Sequence, residues 1–334
     1  NDSGAGSLRE ALLMTPAGGT IEFSLSNCPC IITLTSGELL IDKELTVKGP
    51  GAGMLTISAA GNPFRVIRIE GPPGLGYMTV KIDGIRIADG RGGIEEGTTL
   101  TSGSGIFNKN ADTTISNSII ASNSATRTGG GAINRFGILR LVSSSVIGNT
   151  GGMGGGIRTE NGDLVVSKSR FADNQANMGL AAIGGAIQAS DSTLIISDTT
   201  VTGNRAVYDS GAALINSTAE VSRSTFDHNN SLSWTIGARS GPLRITDSTI
   251  SGNTGGSILA RGETNITNCT IVHNTDFGTM DGTIIPGGVV IGNASDATIR
   301  NSIIAENESG DIGSIEKGYL LTSEGYNLIG DPRD

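Results

Sequence analysis

Few side chains in this sequence are of a type that does acid–base or metal chemistry, and their spacing specifies no site. His228 and His273 each stand directly before an asparagine, and a histidine can act as the base of a lyase. We interpret both as turn residues, because they occupy one position of a repeat. Acidic side chains suited to Ca²⁺ gather around two insertions: Asp276, Asp281, Glu306, Glu308 and Asp311. We interpret them as solvated loops and predict no resident cofactor, with Ca²⁺ left open.

The three cysteines indicate no metal site. Cys28 and Cys30 form a C-P-C pair, and Cys269 stands alone. A zinc site needs further Cys or His at ligand spacing, and both histidines lie far away in the sequence. We therefore interpret the cysteines as structural and leave the oxidation state of Cys28 and Cys30 open.

Two sets of polar residues are candidates for contact with a glycan. One set follows a repeated Gly-Gly-apolar element and is predicted to stack on successive coils, where it would face sugar hydroxyls: Asn108, Asn134, Arg158 and Gln188. The other alternates with apolar residues in FRVIRI and VKIDGIRI and is predicted to point away from the core, toward an acidic glycan: Arg65, Arg68, Lys81 and Arg86. The alternative for both sets is an ordinary solvated strand face, on which charge prevents sticking.

A repeat organises most of the chain. An apolar residue, two variable residues and an asparagine recur eight times at spacings of 21 to 33 residues, a pattern typical of solenoids. A Ser, Thr or Cys stands five residues before each asparagine, and an aliphatic residue stands eight before it. The repeated asparagines are Asn123, Asn149, Asn174, Asn204, Asn229, Asn253, Asn274 and Asn307.

This repeat predicts the fold. Within each copy the apolar residues alternate, which indicates short strands with one face turned inward. Such coils predict an all-β, right-handed parallel β-helix of about eleven turns. We expect the asparagines to form a hydrogen-bonded ladder and to adopt the left-handed backbone conformation at a tight corner. One domain is predicted, with a cap at 1–20, irregular coils at 21–100, regular ladder coils at 101–307 and a tail at 308–334.

The glycine-rich stretch NTGGMGGGIRTENG and the N-terminal segment both fit this solenoid. The glycines match TGGGAI and IGGAIQ elsewhere, each directly before a strand. They therefore predict turns and close packing rather than a phosphate site. Ser7 and Glu10 form a capping box, which predicts a helix over residues 7–14. Leu8, Leu12 and Leu13 are expected to cover the end of the core.

The charge and the hydrophobicity of the chain limit the kinds of binding partner that we expect. The net charge of −9 at pH 7 argues against nucleic acid and against anionic membranes, since phosphate contacts need clustered Lys and Arg. No stretch approaches eighteen consecutive apolar residues. We predict no direct membrane insertion by this chain.

Several motifs resemble known β-helix proteins. FADN and GGAI, between residues 171 and 187, resemble the repeats of polymorphic outer membrane proteins, the chlamydial adhesin and autotransporter passengers. DSGAGSLREAL and SIIAEN…GYNLIGD resemble a broader set of secreted bacterial β-helix proteins. The resemblance implies the fold and a secreted or cell-surface location. It does not imply one activity, because such solenoids host adhesins and carbohydrate enzymes alike. NTD at 274–276 resembles the first motif of polygalacturonases, whose other motifs are absent.

Three functions remain open. The first is a secreted or cell-surface structural or adhesive module, with self-assembly as an option, and the missing catalytic constellation favours it. The second is a polysaccharide-active enzyme, above all a lyase on an anionic glycan. The third is a non-catalytic glycan-binding module. The predicted partners are surface glycans or copies of the same chain.

The tail after Asn307 allows two arrangements of the C-terminal end. In one, the tail folds back and caps the last coil, with Tyr319 and Tyr326 buried. In the other, an open strand edge adds a second copy and builds a filament.

Overall fold

Short runs of alternating apolar and polar residues form the strands of a parallel β-solenoid of about 11 turns, which confirms the predicted fold class. The computed structural model describes residues 2–74, 76–93, 101–177, 182–276, 278–280, 283–292, 295–314 and 320–331. Strands from residue 19 to residue 329 belong to the same continuous sheets.

Each full coil contributes three successive strands, here called A, B and C. The A strands are Leu39–Ile41, Ile67–Glu70, Ile106–Lys109, Ala132–Arg135, Ile157–Glu160, Ile187–Ser197, Ala213–Ser222, Asn230–Ser240, Thr254–Ala260, Val289–Ile291 and Ile312–Ser314. The B strands are Gly19–Glu22, Leu45–Lys48, Met78–Asp83, Ala111–Ser116, Ile138–Val142, Asp163–Ser167, the second halves of Ile187–Ser197 and Ala213–Ser222, Leu243–Thr246, Thr264–Thr267, Asp296–Arg300 and Leu320–Ser323.

The C strands form a separate sheet. They are Cys30–Thr33, Leu55–Ser58, Arg86–Ala88, Ile119–Ala121, Ser145–Ile147, Arg170–Ala172, Thr200–Thr202, Thr225–Asp227, Thr249–Ser251, Thr270–Val272, Ile303–Ala305 and Leu328–Ile329. Two-residue strands follow some of the corners: Thr150–Gly151, Gln175–Ala176 and Arg205–Ala206. Thr279–Met280 and Thr283–Ile284 form an antiparallel pair.

The core consists of aliphatic columns. Strands in successive coils pair in register, so that the inward residue Ile106 lies beside Ala132, and Ala132 lies beside Ile157. All three side chains are fully buried. Because each coil lies ~4.8 Å from the next, every position of the repeat becomes a column along the axis.

The asparagine ladder runs inside the corner after the C strands. All eight ladder asparagines are buried. In the first seven, the side-chain Nδ2 donates to the Oδ1 of the asparagine in the following coil, at 2.8 to 3.0 Å. The backbone N–H of each donates to the same Oδ1. This confirms the predicted ladder.

The backbone at this corner differs from the prediction. The asparagines do not carry the left-handed conformation; the residue before each one does, with φ between 52° and 64°. That residue is His228 or His273 in two coils, Ser, Asp or Glu in others, and glycine in three. Turning the chain one residue earlier points the asparagine side chain inward, where its amide finds partners. The prediction placed the strained residue one position too late.

A second polar ladder, from Ser118 to Ser302, precedes the C strands of the coils that carry the asparagine ladder. The backbone N–H of Ser144 donates to the hydroxyl of Ser169 at 3.1 Å, and other coils repeat this bond. Cys269 replaces a serine here, and its thiol donates to the carbonyl of Thr267 at 3.2 Å. Burial raises the pKa of the Cys269 thiol.

The N-terminal end is covered as predicted, with one exception. The helix spans Leu8–Met14, and the Ser7 side chain accepts a bond from the Glu10 N–H at 3.1 Å. Leu8 and Leu12 are buried, but Leu13 is 75% exposed, so the prediction that Leu13 covers the core is wrong. Residues 8 and 12 are four positions apart and therefore share one helix face, whereas residue 13 lies away from that face.

The residue Asp2 ties this cap to the first coil. Its carboxylate accepts bonds from the Thr35 and Ser36 N–H groups and from Arg9. Burial raises the pKa of Asp2, but these bonds outweigh it and hold the pKa well below its ordinary value.

The C-terminal tail forms a further coil, because its strands Ile312–Ser314, Leu320–Ser323 and Leu328–Ile329 pair in parallel with those of the coil before. Asp311 is buried, and its carboxylate ends the asparagine ladder by accepting from Asn307 Nδ2 at 2.8 Å. The Asp331 N–H donates to the other oxygen of Asp311. Tyr326 is 87% exposed, so the prediction that it is buried is wrong, and Tyr319 lies outside the described residues. Filament formation stays a prediction.

We expect Asn174→Leu to lower the free energy of unfolding by about 1–3 kcal/mol, because it leaves the buried donors and acceptors of two neighbouring coils without a partner. Urea unfolding followed by circular dichroism measures this loss. The matched control is Asn177→Leu, since Asn177 is exposed and its amide bonds only to the Gln175 side chain. Equal stability of the two variants would contradict a structural role for the ladder.

Candidate functional site

A row of four charged residues crosses successive A strands on their outward side. Glu70 pairs in register with Lys109, Lys109 with Arg135, and Arg135 with Glu160. Two cations therefore lie side by side, and one carboxylate flanks them at each end. Like charges directly opposite each other on a sheet are destabilising, so the fold tolerates the central pair at some cost.

Each cation pairs with the glutamate next to it in the row, so the two ion pairs extend in opposite directions along the solenoid axis. Lys109 Nζ lies 3.1 Å from Glu70 Oε1, in the coil before it. Arg135 Nε lies 3.0 Å from Glu160 Oε2, in the coil after it. The Lys109 side chain is 38% exposed and that of Arg135 is 23% exposed, so solvent reaches both.

A second outward column lies beside this row. It contains Arg68, Phe107, Ile133 and Arg158 in register. Arg68 pairs with both Glu38 and Glu70. Arg158 Nη2 lies 3.3 Å from Glu160.

Arg65 joins the two columns at the N-terminal end. Its guanidinium lies 4.6 Å above the centre of the Phe107 ring and pairs with Glu38 at 2.6 Å, in an arrangement that gains cation–π attraction. We call the whole set the charged face: Glu38, Arg65, Arg68, Glu70, Lys109, Arg135, Arg158 and Glu160. Among these described residues, five cations face three carboxylates, in a chain whose net charge is −9.

Farther along the axis, the same side of the solenoid is closed. Trp234, Leu259, Ile285 and Val290 pack there into a second apolar cluster, separate from the core. Each of these side chains is at most 2% exposed. The loop that carries Ile285 covers the A strands, so the charged face occupies the N-terminal half of this side.

The first predicted set of glycan-contact residues does not form one ladder. Asn108 lies beside Asn134 and then Thr159, while Arg158 lies beside Gln188 in the neighbouring column. Asn108 and Asn134 are fully buried, and the Asn108 amide donates to Asn134 Oδ1 at 2.7 Å. Gln188 is also buried. Only Arg158 of the four lies on the charged face.

This prediction was wrong because it displaced the inward and outward positions of the strands by one residue. Phe107 and Ile133 are apolar, yet they lie on the outward column, while Ile106 and Ala132 fill the core. Taking the outward residues as core residues reverses which side chains point out, because side chains alternate along a strand.

The second predicted set is also divided. Arg68 lies on the charged face, but Lys81 belongs to a B strand and Arg86 to a C strand. Arg65 lies on the outward side, away from the core as predicted, but it packs above Phe107 and is only 6% exposed. The phenyl ring below it and Gly93 above it enclose the guanidinium; a Cβ at Gly93 would lie 2.1 Å from Arg65 Nη2.

The other reactive residues stay outside this face. His228 and His273 lie exposed at the corner after the C strands, paired with Asp227 and Glu306 respectively. Asp276 accepts a bond from Ser309, and Asp281 lies outside the described residues. In the part of the chain that the structure describes, no three His, Cys, Asp or Glu side chains group as a metal site. Ca²⁺ binding stays an untested prediction.

An exposed aromatic residue stands at the edge of the charged face. Phe136 directly follows Arg135 and has a left-handed backbone, with φ 52°. It stacks between Asn110 and Asn161, which share this conformation and suit it. For a bulky residue such a backbone costs on the order of 1–3 kcal/mol. Half of the Phe136 side chain remains exposed, so the core does not offset this cost.

These features were partly visible in the sequence. Lys109 and Arg135 are 26 residues apart, which equals the spacing of Asn123 and Asn149, and aligning the repeats would have paired them. The same alignment places Phe136 where other coils have Asn or Asp. The pairing of Arg65 with Phe107 had no such signal, because their separation depends on the long insertion between two coils.

The fold and this face define a parallel β-solenoid with a charged face on its A strands, and known structures share the fold. No protein-family model matches the chain, and no curated protein matches its sequence. The alginate lyase AlyGC of family PL6 overlays with a TM-score of 0.57 at 11% identity, over 94% of this chain and 49% of that one. The chain thus spans about half the length of that lyase.

Two further solved structures are similar. The catalytic unit of the GH87 α-1,3-glucanase from Streptomyces thermodiastaticus overlays with a TM-score of 0.51 at 14% identity, over 99% of this chain and 67% of that one. The surface adhesin PfbA of Streptococcus pneumoniae gives a TM-score of 0.48 at 11% identity, over 97% and 87%. The two scores above 0.5 support the solenoid fold alone. The resemblance to polymorphic outer membrane proteins stays a prediction.

Acidification should weaken the charged face. Burial raises the pKa of Glu70, but hydrogen bonds from Lys109 and Arg68 outweigh it, and the pKa lies below its ordinary value. A lowered folded pKa means that this carboxylate stabilises the fold above its unfolded pKa of about 4.3. That contribution is lost as the pH falls through the folded pKa.

We therefore expect Glu70→Gln to lower the free energy of unfolding by about 0.5–1 kcal/mol at pH 7, because the pair is partly solvated. The difference from wild type should shrink as the pH falls below about 4. Urea unfolding across this pH range measures it, and Glu324→Gln, at an exposed residue, is the control. A difference that does not change with pH would contradict this account.

Proposed function

We propose that this protein is a secreted or cell-surface module that adheres to an anionic glycan, bound along the charged face. The observation that carries the proposal is the adjacent pair Lys109 and Arg135, held side by side by the solenoid register on an accessible surface of an acidic chain. An anion placed between them would relieve the repulsion of two like charges.

The mixture of charges favours a glycan over other polyanions. Glu70 and Glu160 at the ends of the row would repel a dense chain of phosphates, which needs clustered cations. Each sugar of a uronate polysaccharide carries hydroxyls beside its carboxylate, so a sugar that lies over a glutamate can present hydroxyls to it. Carboxylates of the protein accept bonds from those hydroxyls, while Lys and Arg pair with the uronate.

The repeat distance supports binding along the axis. Successive coils lie ~4.8 Å apart, a distance comparable with the span of one pyranose residue. A glycan laid along the axis would meet a new coil at about each sugar.

The disulfide between Cys28 and Cys30 supports the proposed location, because disulfides are typical of secreted proteins.

The positions of Lys109 and of the two histidines support binding without turnover. Lys109 Nζ donates to Glu70 Oε1 at 3.1 Å, and this ion pair engages the amine. Both histidines lie at another corner of the coil. Binding, rather than proton abstraction, suits these groups. Among the described residues no helix is both long and apolar enough to cross a membrane.

Removing both cations should weaken glycan binding. We expect Lys109→Gln with Arg135→Gln to weaken the binding of polyuronates at least about tenfold, equal to about 1.4 kcal/mol, with salt weakening the wild-type interaction. Isothermal titration calorimetry against polyguluronate, polymannuronate and polygalacturonate measures the affinity. Lys168→Gln with Arg170→Gln is the matched control, since it removes the same charge from exposed residues at and beside a C strand.

Equal affinity of both double variants would overturn the assignment of this face. Failure of the wild-type protein to bind any of the polyuronates would overturn the proposed function. The appearance of unsaturated products during the titration would replace adhesion by lyase activity.

A further inference from the structure

The exposed aromatic Phe136 is the least expected residue of the charged face. Its neighbours in the same column are Asn110 and Asn161, which adopt the left-handed backbone readily. Asn110 also uses its amide to bond the carbonyl of Gly71 in the preceding coil. A phenylalanine at this position has neither advantage, and half of its ring is in water.

Stability therefore does not account for the residue. A side chain that stabilises a fold is buried, forms hydrogen bonds or belongs to a residue type that favours the local backbone conformation. Phe136 meets none of these conditions in full. Strain that persists at an exposed residue points to function. Single exposed apolar residues are common, but Phe136 combines exposure with an unfavourable backbone beside a pair of cations.

The position of Phe136 indicates which function. It follows Arg135 in the chain, and the Asn110 N–H, directly after Lys109, donates to the Arg135 carbonyl at 3.2 Å. The ring therefore stands at the corner beside the Lys109–Arg135 pair. One face of a pyranose ring presents C–H groups, which pack on the electron-rich face of an aromatic ring.

We propose that Phe136 is the stacking platform for one sugar ring of the bound glycan, while Lys109 and Arg135 hold the uronate carboxylate. This inference rests on the proposed function and specifies its central subsite. The subsite selects a sugar that offers a carboxylate edge and an apolar C–H face at once. The glutamates at both ends of the row then accept bonds from hydroxyls of the neighbouring sugars.

The decisive variant is Phe136→Asn, which restores the residue type of the neighbouring coils. Because asparagine suits this backbone, the midpoint of urea unfolding should stay the same or rise. Affinity for the best polyuronate should fall about tenfold. Phe136→Tyr should keep wild-type affinity. A structural role for the phenyl ring predicts the opposite pattern, with lower stability and unchanged binding.

The control is Tyr326→Asn. Tyr326 is the other described aromatic residue with a left-handed backbone, φ 59°, and it lies exposed in the C-terminal tail. This variant should bind like wild type. Tenfold weaker binding by it would show that any exposed ring contributes and would overturn the subsite.

Nuclear magnetic resonance of a uronate oligosaccharide gives a second readout. Stacking on a phenyl ring should shift the C–H resonances of one bound sugar upfield, and Phe136→Asn should remove that shift. If wild type binds and Phe136→Asn binds equally with the same sugar shifts, the stacking platform is wrong while the proposed function stands. If wild type binds no polyuronate, the proposed function itself fails.

Discussion

The asparagine ladder is the interaction on which the rest of this structure depends. Each amide must find the oxygen of the next coil at 2.8 to 3.0 Å, and a buried amide without a partner is costly. The ladder therefore fixes where the C strands from Ile119–Ala121 to Ile303–Ala305 end. Since the segment from an A strand to the next ladder asparagine has nearly constant length, the ladder also fixes the register of the A strands. In the coils that carry the ladder, the longest insertions lie after the ladder asparagine, whereas in an earlier coil residues 71–77 separate the A strand from the B strand.

This constraint turns sequence positions into surface columns. Lys109 and Arg135 meet because the ladder places their strands in register, despite the repulsion between them. The side-chain bonds of the ladder are directional, since each amide donates to an oxygen on its C-terminal side, while it also donates to a backbone carbonyl of the coil before, as Asn149 does to Ile120. The buried carboxylate of Asp311 accepts the last of these bonds, so that the row of amides ends on a negative group instead of an unpaired donor.

The sequence was sufficient to predict the fold but not to predict the charged face. Asn123 and the other ladder residues recur at fixed offsets, and a buried hydrogen-bonded ladder requires that regularity. The A strands were ambiguous, because Phe107 and Ile133 are apolar on the outward side, where Arg65 and a loop cover them. Phe136 could not be predicted for a different reason. Nothing in the local sequence indicates a phenylalanine with a left-handed backbone, whereas asparagine or glycine is expected at such a corner. Long-range packing decides both cases.

A crystal structure of the protein with a uronate hexasaccharide tests the central claim most directly. The account predicts a chain lying along the solenoid axis over the A strands, with one carboxylate within hydrogen-bond distance of Lys109 and Arg135 and one sugar over Phe136. A hexasaccharide bound to the C strands, or across the corner that carries His228 and His273, would contradict it.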